Sequence, residues 1–306
     1  MKHLPRYLLI GTLAVFGCQK PDAVVVNPDE KSSPPVEVTN LSSDETALVA
    51  NSPVDTTGLT PADNAKFTAF VLLNNVKYDA GRGVVTVAFS RVYFGDHDKP
   101  FVWNGHIYGY YEFDFDPLMH RPLALNGLPM ERRPYRIHLP LTALGPSADT
   151  TLGYFYVRLL PGIQANTNYT WTSPFHLSVV DSSMFSVKFP DDLQVLSPVG
   201  GSVLSRDKEL ELRWTGKGPV DIVVSAIAPS FAAANPIVKP LLKLHPETNQ
   251  GRAVIEPRIL RSLPRVRNFV FTFIIRTRDE RSPAGPFSGA TLIQAASLYN
   301  CYVQLE

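Results

Sequence analysis

Glu112 and Asp114 are the acidic residues whose spacing in this sequence could support catalysis. They stand two positions apart, and Asp116 repeats the interval, so in a strand the three side chains share one face at spacings of about 7 Å. That separation suits the paired carboxylates of a glycosidase. Glu112 and Asp114 are therefore candidate carboxylates of a hydrolase that acts on glycan. A solvent-facing strand edge with protective charges is the alternative interpretation.

Aromatic side chains lie just before these carboxylates in the chain. Trp103 is in the segment Gly95 to Gly105, which we predict to be a loop, and Tyr108 and Tyr110 follow it. Exposed aromatic rings mark binding surfaces, here for a glycan or an envelope protein. The candidate ligand-binding residues are Trp103, Tyr108, Tyr110, Glu112 and Asp114. Alternatively, the rings pack beneath the long connection Leu118 to Pro134.

Four metal-capable side chains occur in the same region: Asp96, His97, Asp98 and His106. They lack the ligand order and the glycine of a calcium loop, and no His-x-x-x-His occurs, so we predict a solvated polar loop and no metal. Gly-x-Ser-x-Gly, Walker and dinucleotide-binding motifs are absent from the sequence. We therefore expect no cofactor, and the sequence favours binding over catalysis.

The overall charge gives no reason to expect a nucleic-acid partner. The formal net charge is +1, and loss of Lys2 and Arg6 with an N-terminal signal would leave 27 basic against 28 acidic residues. Arginines are frequent between Arg252 and Arg281. They could form a positive face for an acidic partner such as an anionic glycan, or simply a solvated surface.

The elements that carry the candidate residues are predicted to be strands. Phe70 to Tyr78 and Val84 to Phe94 are rich in Val, Phe and Tyr, and the glycines between them are typical of a hairpin turn. Ile107 to Phe115 alternates, with Tyr111 on one face and Tyr108, Tyr110 and Glu112 on the other. We predict an all-β fold in which residues 66–190 form one β-sandwich domain.

A second domain is predicted for residues 191–306. Leu196 to Gly201 forms a Pro-Gly corner, and Leu210, Leu212 and Trp214 alternate in the strand that follows. With Val220 to Val224, these residues resemble the start of immunoglobulin-like or fibronectin-type modules common on bacterial surfaces. The resemblance implies a second β-sandwich in which the tryptophan fills the space between two sheets.

The N-terminus determines where these domains are located. Lys2 and Arg6 precede a short apolar run, Leu8 to Phe16, which is typical of a secretory signal and about half the length needed to span a membrane. The residues Val15-Phe16-Gly17-Cys18 resemble the lipobox of bacterial lipoproteins. That resemblance implies removal of residues 1–17 and acylation of Cys18. Gln19, where an Asp can retain a protein at the inner membrane, favours the outer membrane of a Gram-negative bacterium.

Residues 18–65 are predicted to be a disordered tether. From Gln19 to about Lys66 there is no Phe, Tyr or Trp, and acidic, Pro, Ser and Thr residues dominate. Such a segment buries too little apolar surface to offset the entropy cost of ordering it. Taken together, the sequence predicts a lipid-anchored envelope protein whose two β-sandwich domains bind or scaffold. The alternatives are a glycan hydrolase and a structural subunit of a surface assembly.

Overall fold

The computed structural model describes residues 24–25, 36–41, 63, 66–103, 106–113, 123–138, 149–172, 185–228, 237–247, 250–281 and 290–306. The predicted signal peptide, Cys18 and most of the predicted tether lie outside these residues. None of the helices within them is long and apolar enough to cross a membrane.

The fold is all-β, as predicted, and the described residues include the short helix α1. The elements in chain order are β1 (Val24–Val25), β2 (Val36–Asn40), β3 (Ala69–Asp79), β4 (Val84–Trp103), β5 (His106–Glu112), β6 (Ala124–Leu125), β7 (Leu128–Pro129), β8 (Glu131–His138), β9 (Asp149–Leu160), β10 (Asn168–Thr172), β11 (Phe185–Lys188), β12 (Gln194–Ser197), β13 (Val203–Leu204), β14 (Leu210–Thr215), β15 (Val220–Ala228), β16 (Ile237–Pro246), β17 (Arg252–Ile255), α1 (Pro257–Ser262), β18 (Asn268–Arg281) and β19 (Thr291–Leu305).

A 12-stranded sheet forms the backbone of the molecule. Its strand order is β1-β2-β16-β15-β18-β19-β3-β4-β9-β8, with β13 paired to β19 and β5 paired to β4. Most neighbours are antiparallel, whereas β19 and β3 run parallel from the Thr291–Ala69 pair to the Cys301–Asp79 pair. Strands from both predicted domains therefore belong to one sheet. The division into two domains at residue 190 stays a prediction.

Two small sheets pack on the same face of this large sheet, and we call that face the inner face. The sheet β12-β14-β17 covers Ile222, Phe271 and Phe273, and the sheet β11-β10-β6-β7 covers Val71 and Leu73. Each packing buries a hydrophobic core between two layers, which is the β-sandwich arrangement. The opposite side, which carries Asp221, Ile274, Leu298 and Val76 in directly paired positions, is the outer face.

A buried polar junction separates the two cores on the inner face. Lys77 is 5% exposed, and its ammonium donates to both carboxylate oxygens of Asp192 at 2.7 Å and to the Leu193 carbonyl at 3.0 Å. Asp79 accepts hydrogen bonds from the Gly200 amide and the Tyr299 hydroxyl. The chain that links the two small sheets is thus held onto strand β3 by charge and hydrogen bonding.

Several local predictions are confirmed. The turn between β3 and β4 contains Gly81 and Gly83 at positive φ, as a hairpin requires. In β14, Leu210, Leu212 and Trp214 are buried while the residues between them are exposed.

Other local predictions are corrected. The predicted loop Gly95 to Gly105 is wrong as far as Trp103, because β4 continues and pairs with β5. The predicted long connection Leu118 to Pro134 contains β6, β7 and the start of β8. Within the predicted tether, Val36–Asn40 is not disordered: it pairs with β16, and its Val38 joins the core at 9% exposure.

Replacing Gly200 with alanine is expected to destabilise the protein by about 2 kcal/mol, the usual scale of overpacking. A Cβ at this position would lie 2.2 Å from the Asp79 Oδ1 atom and 2.5 Å from its carbonyl oxygen. Urea unfolding measures the loss. Gly162→Ala is the matched control, because no atom lies within 4 Å of its added Cβ; an equal loss there would contradict the steric explanation.

Candidate functional site

The predicted ligand-binding residues lie on the hairpin formed by β4 and β5. Tyr110 is only 6% exposed, which corrects the prediction that it offers an exposed ring. Its ring packs toward His97, with centroids 6.0 Å apart, and it lies beside Gly95, where any Cβ would come within 2.9 Å of the Tyr110 Cβ. Tyr111, predicted on the opposite face, is 38% exposed. The alternation between two faces was recognised, and the structure shows that the face of Tyr110 is the buried one.

Glu112 is occupied by structural contacts. Its Oε1 atom accepts a hydrogen bond from Arg132 at 2.8 Å, and Oε2 accepts one from the Tyr154 amide at 2.9 Å. Gly153 allows this close approach, since a Cβ there would lie 2.2 Å from the Glu112 Cβ. The carboxylate therefore links β5 to β8 and β9, and both of its oxygens already have partners.

The side chains of the remaining predicted residues are not described by the structure. Trp103 and Tyr108 belong to β4 and β5, but their side chains lie outside the described part of the structure. Asp114 and Cys18 lie outside the described residues altogether. The grouping of the five predicted ligand-binding residues into one site stays a prediction.

The metal-capable residues near this hairpin have other partners. Asp96 is 8% exposed; it accepts a hydrogen bond from the Asp98 amide and lies 3.3 Å from the Lys99 ammonium. Among the described residues, no three His, Cys, Asp or Glu side chains gather in a way that could hold a metal ion.

A charged cavity of about 450 Å³ lies elsewhere, on the outer face of the large sheet. Four strands that are neighbours in the sheet, β2, β16, β15 and β18, supply most of its walls. The lining residues are Glu37, Thr39, Pro219, Asp221, Lys243, His245, Arg276 and Arg278. Because these side chains come from a paired sheet, their positions are fixed by backbone hydrogen bonds.

Asp221 is the centre of the charge network in this cavity. It is 8% exposed, its Oδ1 atom lies 2.8 Å from His245 Nδ1, and its Oδ2 atom is 3.2 Å from the Lys243 ammonium. The Arg276 guanidinium donates to the same Oδ2 atom. One carboxylate is thus shared by an ammonium, a guanidinium and an imidazole.

Two opposing effects act on the pKa of Asp221. Burial, the largest single effect, would raise the pKa, but the nearby charges of Arg276 and Lys243 and the hydrogen bonds from His245 and Lys243 together lower it. The carboxylate is therefore ionised at neutral pH and holds the cations in place.

Arg278 forms a second charge cluster in the same cavity. Its two Nη atoms donate to Asp63 at 2.9 and 2.8 Å, and its Nε atom donates to Gln294 at 2.7 Å. Asp63 is 6% exposed. This bidentate pair neutralises Arg278. The other cations of the cavity are Lys243 and Arg276, and its carboxylates are Asp221 and Glu37.

Sequence reasoning singled out the arginine-rich region but missed the cavity. Arg276 and Arg278 belong to the run between Arg252 and Arg281, and their spacing of two places both on one face of β18. Lys243 and His245 show the same spacing in β16, which was not predicted as a strand. The alternating charges were visible in the sequence; their convergence on Asp221 depends on strand pairing.

Comparison with known proteins identifies no family for this chain. No protein-family model matches it, and no curated protein matches it. Among solved structures, the yeast delta-COP-I mu-homology domain is similar at 8% identity with a TM-score of 0.18, over 78% of this chain and 98% of that chain. A similarity at this level carries no argument about fold or function.

Proposed function

We propose that this chain is a lipid-anchored protein of the cell envelope that binds a polar, acidic ligand, such as an anionic glycan, in the charged cavity on the outer face. The observation that carries the proposal is the sharing of one buried carboxylate by two cations. Asp221 can accept only part of the three donors of the Lys243 ammonium, which lies 3.2 Å from its Oδ2 atom. The donors that remain can bind an incoming carboxylate or sulfate.

The cavity is suited to recognition because its donors are held in place before a ligand arrives. Arg276 is 19% exposed and Lys243 is 32% exposed at their side chains, so both remain accessible while paired with Asp221. A ligand then meets preorganised charges and loses less free energy to side-chain ordering. Half-exposed His245 lies beside them and offers its second ring nitrogen for a further hydrogen bond.

The cellular location in this proposal is supported by the sequence of the N-terminus. The run Leu8 to Phe16 followed by Gly17-Cys18 resembles a lipoprotein signal. Two or more acyl chains at Cys18 would hold the protein on a bilayer. The second half of the chain is proposed to be an immunoglobulin-like module; the burial of Trp214, whose ring centroid lies 5.9 Å from that of Phe273, supports this.

Lys243→Met is expected to weaken binding of an acidic glycan at least tenfold, because a hydrogen bond to a charged group contributes about 1.5 to 3 kcal/mol. A glycan array that includes uronic-acid and sulfated sugars identifies the ligand, and titration of the best one gives the affinities. Lys239→Met is the matched control, since Lys239 is exposed on the same strand and outside the cavity. Equal affinity in the Lys243→Met variant and the wild type would refute the cavity as the binding site.

Hydrolysis remains a second candidate function because of one specific contact. The hydrogen bond between Asp221 and His245 Nδ1 would orient the imidazole and leave Nε2 able to accept a proton from water. This pair suits general-base catalysis better than Glu112, whose carboxylate is engaged by Arg132 and Tyr154. Turnover of the bound glycan that disappears in His245→Gln, while binding persists, would establish this function in place of simple binding.

A further inference from the structure

Arg91 occupies an unusual position on the outer face, three strands along the sheet from β18. It lies on β4, where its direct cross-strand neighbours are Leu72 on β3 and Val157 on β9, at 2% and 9% exposure. Its guanidinium carbon is 4.8 Å from the centroid of the Phe155 ring and 5.8 Å from that of Phe89. The charge therefore lies among apolar and aromatic side chains.

No acceptor within the described part of the chain receives a hydrogen bond from this guanidinium. Its Nε atom is buried without a hydrogen-bond partner, and its contacts are with ring faces. Neighbouring arginines differ: Arg132 pairs with Glu112, and Arg133 pairs with Glu131. Arg91 is thus a half-buried cation with a buried Nε atom, and it lacks a counter-ion among these residues.

This arrangement costs free energy in the absence of an anion. Burial lowers the pKa of Arg91, and the nearby Tyr135 opposes that effect, but an arginine stays protonated in either case. Cation–π contacts with the two rings compensate the desolvation only in part. A carboxylate placed against the guanidinium fork would supply the missing partner through two parallel hydrogen bonds.

Exposed apolar side chains border the same position. Leu159, directly opposite Phe89 across the β4–β9 pair, is 65% exposed, and Val87, two residues before Phe89, is 37% exposed. All three lie on the outer face. A ligand whose carboxylate reached Arg91 would therefore rest its remaining atoms on apolar surface, which favours an apolar body over a polyhydroxylated one.

We propose that Arg91 is the anchor of a second binding site, which takes an organic carboxylate with an apolar body. The guanidinium binds the carboxylate, Phe89 and Phe155 hold the guanidinium plane, and Leu159 and Val87 contact the apolar part. The site is separate from the charged cavity and does not depend on the function proposed for it.

Benzoate is the probe for this site, with benzamide as its neutral counterpart and inorganic phosphate as an anion without an apolar body. In the purified full chain, benzoate at ten times its Kd is expected to raise Tm by about 3 °C. The same titration should shift the Arg91 Nε–H resonance in ¹⁵N spectra. Benzamide and phosphate should do neither. An equal response to phosphate would overturn the preference for an apolar acid.

Arg91→Met should abolish the response to benzoate and should raise Tm in its absence, because a half-buried charge without a counter-ion is removed. Arg133→Met is the matched control. Arg133 lies on β8, on the same outer face as Arg91, and is already paired with Glu131. The benzoate response of this variant should persist. If Arg91→Met does not fold, the shift of the Arg91 Nε–H resonance in the wild type still tests whether benzoate binds at Arg91. Persistence of the benzoate response in Arg91→Met, or no shift of that resonance, would refute the site.

Discussion

Asp192→Ala is expected to lower the free energy of unfolding by about 3 kcal/mol. The carboxylate of Asp192 receives two hydrogen bonds of 2.7 Å from Lys77, which is 5% exposed. Without Asp192 the ammonium stays buried, and its one other hydrogen bond among the described residues goes to the Leu193 carbonyl at 3.0 Å. A buried charge that loses its counter-ion is among the most costly single defects in a folded protein.

Lys77→Met removes the same ion pair from the other side and serves as the control. The Asp192 side chain is 43% exposed and also accepts a hydrogen bond from Gln194, so it remains hydrated when Lys77 is gone. The expected decrease in the free energy of unfolding for Lys77→Met is below about 1 kcal/mol. Urea unfolding followed by the fluorescence of buried Trp171 and Trp214 measures both variants. Equal losses would show that attraction between the charges, and not burial of Lys77, stabilises this junction.

Strand positions could be predicted from the sequence because their signal is local. Phe70 to Tyr78 was predicted and Ala69–Asp79 is observed, since β-branched and aromatic residues bounded by glycines favour a strand wherever they occur. The turn Asn126-Gly127 between β6 and β7 carried an equally strong hairpin signal that was missed; both residues have positive φ. By contrast, β16 contains Pro240, which argues against a strand, and the structure accommodates it at a register shift in the β15–β16 pair.

Strand pairing could not be predicted, because it depends on contacts between distant parts of the chain. The parallel pair of β3 and β19 joins the two predicted domains into one sheet. The sequence of neither strand indicates that it pairs with the other. The same limitation applied to Tyr110. Alternation shows that one face is buried but not which one, and the contacts of Tyr110 with Gly95 and His97 on β4 became visible only in the structure.

The candidate site was unpredictable for a related reason. Asp221, Lys243 and Arg276 lie on three different strands. Their side chains come into contact only because β16, β15 and β18 are neighbours in the sheet. Arg91 illustrates the converse. From sequence, a single arginine in a strand is predicted to be a surface residue. Only the structure shows that the guanidinium of Arg91 contacts aromatic rings and not carboxylates.

Cys18→Ala is expected to transfer nearly all of the protein from the detergent phase to the aqueous phase in a Triton X-114 partition. The acyl chains proposed for Cys18 contribute about 0.8 kcal/mol per buried methylene, so two chains hold a protein on a bilayer and none leaves it free. The apolar run Leu8 to Phe16 does not replace them, because about 20 residues are needed to cross the hydrocarbon. Mass spectrometry of the mature wild type should find an acylated Cys18 at the N-terminus.

Cys301→Ala is the matched control for this experiment, because the thiol of Cys301 cannot serve as the lipid attachment site. Cys301 is 0% exposed, its thiol donates to the Pro198 carbonyl at 3.2 Å, and burial raises its pKa to about 12. A protonated, enclosed thiol is a poor nucleophile, so this variant should stay in the detergent phase. A Cys18→Ala variant that retains residues 1–17 would be recognised by its mass and distinguished from a cleaved one. Detergent partition of the cleaved variant, or an unmodified residue at the native N-terminus, would refute the anchor.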